Sequence, residues 1–178
     1  MYLYADDSKF CRSIQSDYDC RLLQSDASLV AKWCRSWKLN LNIDKCNIIT
    51  FSRKTKSKVI DYTYKLDKQP IKRVQVVKDL GVYLTHNLSF SQHINHIIKR
   101  SFQMLGFIRR ICSNFDNVQT LRTLYISYVR SNLEYCSVVW SSHQNYLSQK
   151  IERVQKKFIK YMCVKQGYVY ESDRYSEL

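Results

Sequence analysis

The hydrophobic period of this chain changes for good near residue 88, and no other feature constrains its fold as strongly. Before that point, apart from one helical stretch over roughly 18–37, apolar residues come in short runs that alternate or cluster, and after it they recur at spacings of three and four. Short β-branched and aromatic runs read as strands, whereas a three-to-four spacing places one stripe of side chains along one side of a helix. The chain therefore reads as α+β: strands with one long helix over residues 1–88, a helical bundle over 89–167, and a short polar end at 168–178.

In the first part, Tyr2-Leu3-Tyr4 and the residues from Lys9 to Arg12 favour strand, and Ala5-Asp6-Asp7-Ser8 between them has turn chemistry, which predicts a tight hairpin. Ser16 and Asp17 suit a helix start, with the helix running over roughly 18–37. Its Leu22, Leu23, Ala27, Val30, Trp33, Cys34 and Trp37 are expected to form one buried face behind a sheet. Residues 46–51 read as a buried strand, and 60–66, 71–77 and 80–84 as further strands, with Pro70 at an edge. Gly81 stands inside the last of these in a chain with three Gly, and marks either close approach of another backbone or a bulge. Residues 52–58 form a basic connector, read first as an exposed hairpin loop and second as a nucleic-acid contact.

In the second part, Ser89 with Gln92 has a capping-box pattern ahead of Ile94, Ile97, Ile98, Leu105, Ile108 and Cys112 on one helical face. Asn117 opens a second helix carrying Leu121, Leu124, Tyr125, Tyr128 and Val129. A third begins after Tyr146, with Ile151, Val154, Phe158, Ile159 and Met162 as its stripe and Gly167 at its end. Lys150, Arg153, Lys156, Lys157 and Lys160 fill the remaining arc of that helix with Glu152 as its one acid, a pattern that favours phosphate tracking over a plain solvated face.

Composition agrees with a polyanionic partner. Lys and Arg number 29 against 15 acidic residues, a net charge of +14, and they are interleaved with 14 Tyr and 7 Phe. The seven Cys include no C-x-x-C pair, which argues against a disulfide framework and a zinc ribbon and predicts small buried hydrophobes in a reducing compartment. His93 and His96 read as a surface pair, since no Cys or carboxylate in the same turn completes a metal set. There is no glycine-rich phosphate loop, no nucleophile with a nearby His and acid, and no apolar run near membrane-spanning length. An intracellular, soluble protein without a membrane partner is expected. The adjacent carboxylates of Asp6 and Asp7 repel one another; taken alone the pair reads as a solvated turn, while a divalent cation is the usual remedy where such a pair is functional.

Four motifs in order give the pair a context. Tyr4-Ala5-Asp6-Asp7 resembles the Tyr-x-Asp-Asp palm motif of reverse transcriptases. Trp33 and Trp37, then Leu39-Asn40-Leu41-Asn42, Lys45-Cys46 and Phe51-Ser52-Arg53, resemble the palm motif that follows it in non-LTR retrotransposon polymerases. Lys78-Asp79-Leu80-Gly81-Val82 with Leu88-Ser89-Phe90 and His93-Ile94 resembles the primer grip, and Leu133-Glu134-Tyr135-Cys136, Val139-Trp140 and Ile151 to Phe158 resemble the thumb. The likeness spans nearly the whole chain and points to jockey-like elements of animals.

The resemblance implies a partial polymerase palm of antiparallel strands with a packing helix, followed by an α-helical thumb. It implies nucleotidyl transfer with two Mg²⁺ ions in the intact parent, with Asp6 as a metal ligand, Asp7 as a second ligand or field-tuning group, and Tyr4 near the primer terminus. Lys45 matches a lysine that contacts the nucleotide phosphates, although a solvated strand-start lysine is an equal alternative from the residues alone. Leu80, Gly81 and Val82 match the primer grip through backbone placement. RNA template, DNA primer and deoxynucleoside triphosphates are the implied partners. A family polymerase carries a third metal-binding Asp and the fingers upstream of this turn. The expectation is therefore a fragment that binds Mg²⁺ weakly or not at all and does not polymerise by itself, either a truncated product of a decayed element or a piece that needs the N-terminal half of the polymerase. The alternative is a non-catalytic, basic nucleic-acid-binding remnant.

Overall fold

The computed structural model describes residues 1–52, 59–141 and 145–168. The basic connector beyond Ser52 and the polar end beyond Tyr168 lie outside them. The chain divides into two compact units, Met1–Val77 with Thr85–Leu88, and Lys78–Leu84 with Ser89–Leu178. Strands and helices both occur, as the α+β reading requires.

In the first unit, β1 (Tyr2–Tyr4) and β2 (Asp7–Lys9) form an antiparallel hairpin, and α1 (Asp17–Ser36) follows. The helix starts where expected because one oxygen of Asp19 accepts from the backbone N–H of Gln15 (3.0 Å) and Ser16 (2.9 Å) and from the Ser16 hydroxyl (2.9 Å). These donors hold the Asp19 carboxyl below its usual range. The buried line of α1 is Cys20, Ala31 and Cys34. Trp33 and Trp37 depart from the expected face: they are 54% and 67% exposed, with rings 6.2 Å apart. Trp33 precedes Cys34 by one residue and so stands about 100° around the helix from it, while Trp33 and Trp37, four apart, share a second line.

The later strands are shorter than expected. Of residues 46–51, β3 (Asn47–Ile48) alone is paired, and it runs parallel to β6 (Lys72–Arg73), not antiparallel as a palm reading supposes. The rest of the run has no ladder: the pairing with β6 ends with Val74 N–H on the Ile48 carbonyl at 2.8 Å. Phe51 is accordingly exposed. Within 60–66 the paired residues are β4 (Lys65–Leu66), joined to β5 (Gln69–Pro70) through Asp67 and Lys68, both at positive φ (46° and 68°), as a tight hairpin turn demands. The Gln24 amide grips β4 in both directions, accepting from Lys65 N–H at 2.7 Å and donating to the Lys65 carbonyl at 2.8 Å. Tyr64 is buried and joins the thin core of α1; burial, then its hydrogen bond with Cys20, raises its hydroxyl pKa.

The hairpin of β7 (Val76–Asp79) and β8 (Val82–Thr85) follows, and its tip belongs to the second unit. Leu80 and Gly81 form the two-residue turn, with φ of 43° and 88°. Gly81 is thus in a turn and not inside a strand, where two successive left-handed residues are needed and Gly meets that need without steric cost.

The second unit is helical: α2 (Ser91–Ile111), α3 (Val118–Tyr125), α4 (Ser131–Glu134), α5 (Ser137–Trp140) and α6 (Asn145–Lys165). Phe90, not Ser89, is the N-cap of α2, and the Ser89 hydroxyl instead lies 3.1 Å from that of Ser91. Asn117 caps α3 as expected, accepting from Thr120 N–H at 3.0 Å. Between α3 and α4 the helix widens into a π turn at Ile126–Arg130. An α-helix overshoots a full turn by about 40° every four residues, and the wider turn returns that drift. Leu121, Tyr125, Val129 and Leu133 therefore stay on one buried line, while Tyr128, expected on it, is exposed. They pack with Ile94, Leu105, Trp140 and Val154 in one core, where the rings of Tyr125 and Phe158 stack at 4.0 Å. The last helix ends as a Schellman motif: Gly167 has φ 74°, its N–H meets the Val164 carbonyl (3.2 Å), and Tyr168 N–H meets that of Cys163 (2.9 Å).

Two other expectations change. His93 is 1% exposed, so it is no surface residue, whereas His96 is exposed. The Nδ1 of His93 accepts from Tyr83 N–H at 3.4 Å and the His93 ring packs 5.4 Å from that of Trp140. Cys20, Cys34, Cys112 and Cys163 are buried as expected and Cys46 is half-buried, but Cys11 and Cys136 are exposed. Cys136 occupies the junction of α4 and α5 at φ 53°.

Candidate nucleic-acid and metal sites

The acidic pair stands on a tighter turn than the sequence suggests. Tyr2 pairs with Lys9, Leu3 with Ser8 and Tyr4 with Asp7, which leaves Ala5 and Asp6 as a two-residue turn and puts Asp7 at the start of β2. Ala5 is at φ 51°, a conformation that costs a non-glycine residue on the order of 1–2 kcal/mol. Residues from Met1 to Ser8 are all exposed, so both carboxylates are open to solvent. Two hard oxygen donors suit Mg²⁺. Among the described residues, however, no group of three or more His, Cys, Asp or Glu comes close enough to hold a metal ion. Asp6 and Asp7 thus fit as part of a donor set and not as a whole one. Tyr4 is exposed beside them, paired across the hairpin with Asp7.

Lys45 does not begin a strand. It closes a 3₁₀ turn, Ile43–Lys45, whose N-cap Asn42 receives the Lys45 N–H on its side chain at 3.3 Å, and the lysine is exposed.

In the second unit, the residues matched to the primer grip surround Tyr135. Its hydroxyl donates to the Leu80 carbonyl at 3.0 Å, and a Cβ on Gly81 would stand 3.1 Å from its ring. The close approach that Gly81 allows is therefore made by an aromatic ring of the chain itself. Val82 is buried in the helical core.

Of the expected basic residues on α6, Arg153, Lys156, Lys157 and Lys160 are exposed and Lys150 is half-buried. Lys150 reaches Asn95 Oδ1 at 3.4 Å and lies 5.5 Å over the Tyr146 ring, and Lys157 lies 5.4 Å over Phe102. Farther along, Arg109 lies 5.4 Å over Tyr161, and Lys165 Nζ bonds the carbonyls of Ser113 and Phe115 and the carboxylate of Asp116. The partners advance together on both helices, so α2 and α6 run parallel with a cation-rich seam between them. Arg109, Arg110 and Lys165 are the residues that sequence reading missed. Their place on the polar arc of α2 or at the end of α6 is legible, but which helix faces that arc is not.

No protein-family model matches the chain, and no solved structure matches it. Among curated proteins it is similar to a probable RNA-directed DNA polymerase from the transposon X-element of Drosophila melanogaster, with 23% identity over 137 residues, 76% of this chain. It is also similar to the RNA-directed DNA polymerase from the mobile element jockey of the same species, with 30% identity over 95 residues, 53% of this chain. The chain resembles a jockey-like reverse transcriptase fragment. It spans 15% and 10% of the lengths of those two relatives. No described helix is long and apolar enough to cross a membrane.

Proposed function

We propose that this chain is part of an RNA-directed DNA polymerase of a non-LTR retrotransposon, in which residues 1–88 contribute to the palm and 89–167 form the thumb. The observation that supports this most is the β1–β2 hairpin, which presents Asp6 and Asp7 to solvent on a turn strained at Ala5, in a chain similar to two such polymerases. Strain of this kind collects where a backbone must hold functional groups in one place.

In the parent enzyme, Asp6 and Asp7 would contribute carboxylate oxygens to hold Mg²⁺, which when bound would supply charge stabilisation for phosphoryl transfer, and Tyr4 lies against the primer end. Lys45 holds the nucleotide phosphates, and the Leu80–Gly81 turn with Val82 at the start of β8 places the primer by its backbone. Lys150, Arg153, Lys156, Lys157 and Lys160 follow the phosphates of the RNA template and DNA primer. Because its donor set is partial, the chain by itself extends no primer.

The test supplies primer-template, Mg²⁺ and deoxynucleotides to the chain alone and to the chain joined to the preceding part of the jockey polymerase. Extension is expected in the joined protein and a loss of about a hundred- to a thousandfold on Asp6→Ala, since such a ligand acts on transition-state charge. Undiminished extension after Asp6→Ala or Asp7→Ala sinks the assignment, and extension by the chain alone sinks the claim that its site is partial.

A second reading, a non-catalytic nucleic-acid-binding remnant, is favoured by the cations of α6, a charge pattern that needs no bound metal. It gains if salt-dependent duplex binding survives both Asp substitutions while no joined protein extends a primer.

A further inference from the structure

Gly106 has no internal reason to be a glycine. It lies in the middle of α2, a 21-residue helix, where Gly is the least favoured residue after Pro. A Cβ built there meets nothing within 4 Å, so no neighbour excludes a side chain. What the missing side chain leaves is space: Gly106 borders an open groove of about 470 Å³, lined also by Arg109, Arg110, Ser113, Tyr161 and Lys165. That volume falls within the roughly 300–1,000 Å³ of ligand clefts.

The groove is lined by cations. Tyr161 is held by a hydrogen bond to the Cys112 carbonyl at 3.4 Å, and its ring holds the Arg109 guanidinium in place. Lys165 is fully engaged with two carbonyls and Asp116, so it forms a fixed wall and is not the ligand-binding charge. Arg109 and Arg110 are exposed, and neither takes part in the ion pairs found among the described residues. Guanidinium forks match phosphate oxygens in pairs. The same α2–α6 seam continues through Lys157 and Lys150, a linear series of cations that suits a polymer of evenly spaced phosphates better than a single small anion.

We propose that the α2–α6 groove seats the sugar-phosphate backbone of a nucleic-acid strand, with Gly106 admitting the backbone and Arg109 and Arg110 as its phosphate ligands. This rests on the nucleic-acid reading above and adds a site to it.

The test is fluorescence anisotropy with a labelled RNA–DNA duplex and a labelled single strand, between about 50 and 200 mM salt, alongside thermal unfolding of each variant. Arg109→Gln with Arg110→Gln is expected to weaken binding about tenfold or more and to flatten the salt slope by about 2, near 0.9 for each lost phosphate contact. Gly106→Gln, which projects a side chain into the groove, is expected to do the same without removing charge. Gly106→Ala guards against misfolding: its midpoint should be unchanged or higher, because Ala favours helix, while affinity falls about threefold. Arg122→Gln, which removes one exposed charge from α3, controls for net charge and should change affinity less than twofold.

Folded Gly106 variants that bind like the unmodified chain overturn the groove, and if Lys156→Gln with Lys160→Gln still weakens binding, the nucleic-acid reading survives. If the unmodified chain binds neither probe, that reading fails and the groove's occupant fails with it. Gly106-dependent capture by anionic lipid vesicles without oligonucleotide binding overturns the strand as occupant.

Discussion

The helices of the second unit bury one stripe of apolar residues against one another and leave others such as Phe107, Ile111 and Val138 exposed, whereas the ribbons and α1 of the first bury few of theirs. Ile94, Leu121, Val129, Leu147 and Val154 are fully buried in the second unit. The buried hydrophobic residues of the first are Cys20, Ala31, Cys34 and Tyr64, while Tyr2, Leu3, Tyr4, Leu29, Trp33 and Trp37 are exposed. The contrast follows from how each kind of element finds partners. A helix satisfies its own backbone and needs neighbours for one stripe, and the second unit supplies those from consecutive segments. A strand needs a partner for its backbone as well as for its face, and a two-stranded ribbon is marginal by itself. In the first unit, Gln24 stands in as a side-chain partner for β4.

The largest test of that contrast is a cavity in the helical core. Leu121→Ala should cost about 2–5 kcal/mol, a large part of the whole stability of a domain this size. Urea unfolding followed through Trp140 in a Trp33→Phe, Trp37→Phe background reads the second unit without interference from the first. A midpoint unchanged by Leu121→Ala means that the helices do not depend on this core. Next is Gly81→Ala, where a left-handed φ and the Tyr135 ring at 3.1 Å act together. A loss of about 1–3 kcal/mol is expected, and Tyr135→Ala in the same background should recover the part due to the clash.

The buried histidine gives a pH signature confined to the helical unit. Burial first, then the charge of His96, lowers the His93 pKa below its ordinary value of 6.5. The unfolded state then binds the proton more readily, so this contribution to stability is fully present above about pH 6.5 and is lost as pH falls toward the folded value. Replacing His93 with Leu should remove that dependence from the unfolding midpoint. Retention of the same slope would assign it to other groups. The smallest effect belongs to the first unit: Trp33→Ser with Trp37→Ser should change stability by less than about 0.5 kcal/mol, and an unfolding midpoint shifted well beyond that would show that these rings are structural.

What could be read from residues and what could not follows the same division. The helix starts at Ser16 and Asn117 and the stop at Gly167 were legible because capping is local, decided within a few residues. The hairpin at Asp6 and Asp7 was legible in kind, but its register was not, since a turn of two or of four residues suits the same side chains. The strand expected over 46–51 failed because β-propensity speaks of a fitting partner surface and the pairing reaches Asn47 and Ile48 alone. Trp33 and Trp37 failed because a face wide enough to hold every apolar residue of α1 exceeds the stripe that the thin core covers. Arg109 and Arg110 were invisible as a site because their meaning depends on Tyr161, some fifty residues away and across a helix seam.

By itself, then, the sequence determined where the period changes, where helices begin and stop, and which order of motifs aligns the chain with jockey-like polymerases. Those features depend on neighbours in the chain, whose separations are fixed by covalent geometry. Tertiary structure alone decided that His93 is buried, that Gly81 lies under Tyr135, and that Gly106 opens a cationic groove along α2 and α6. Each depends on which distant surfaces meet, and that choice is made by packing all the stripes at once, a constraint that no single stretch of residues contains.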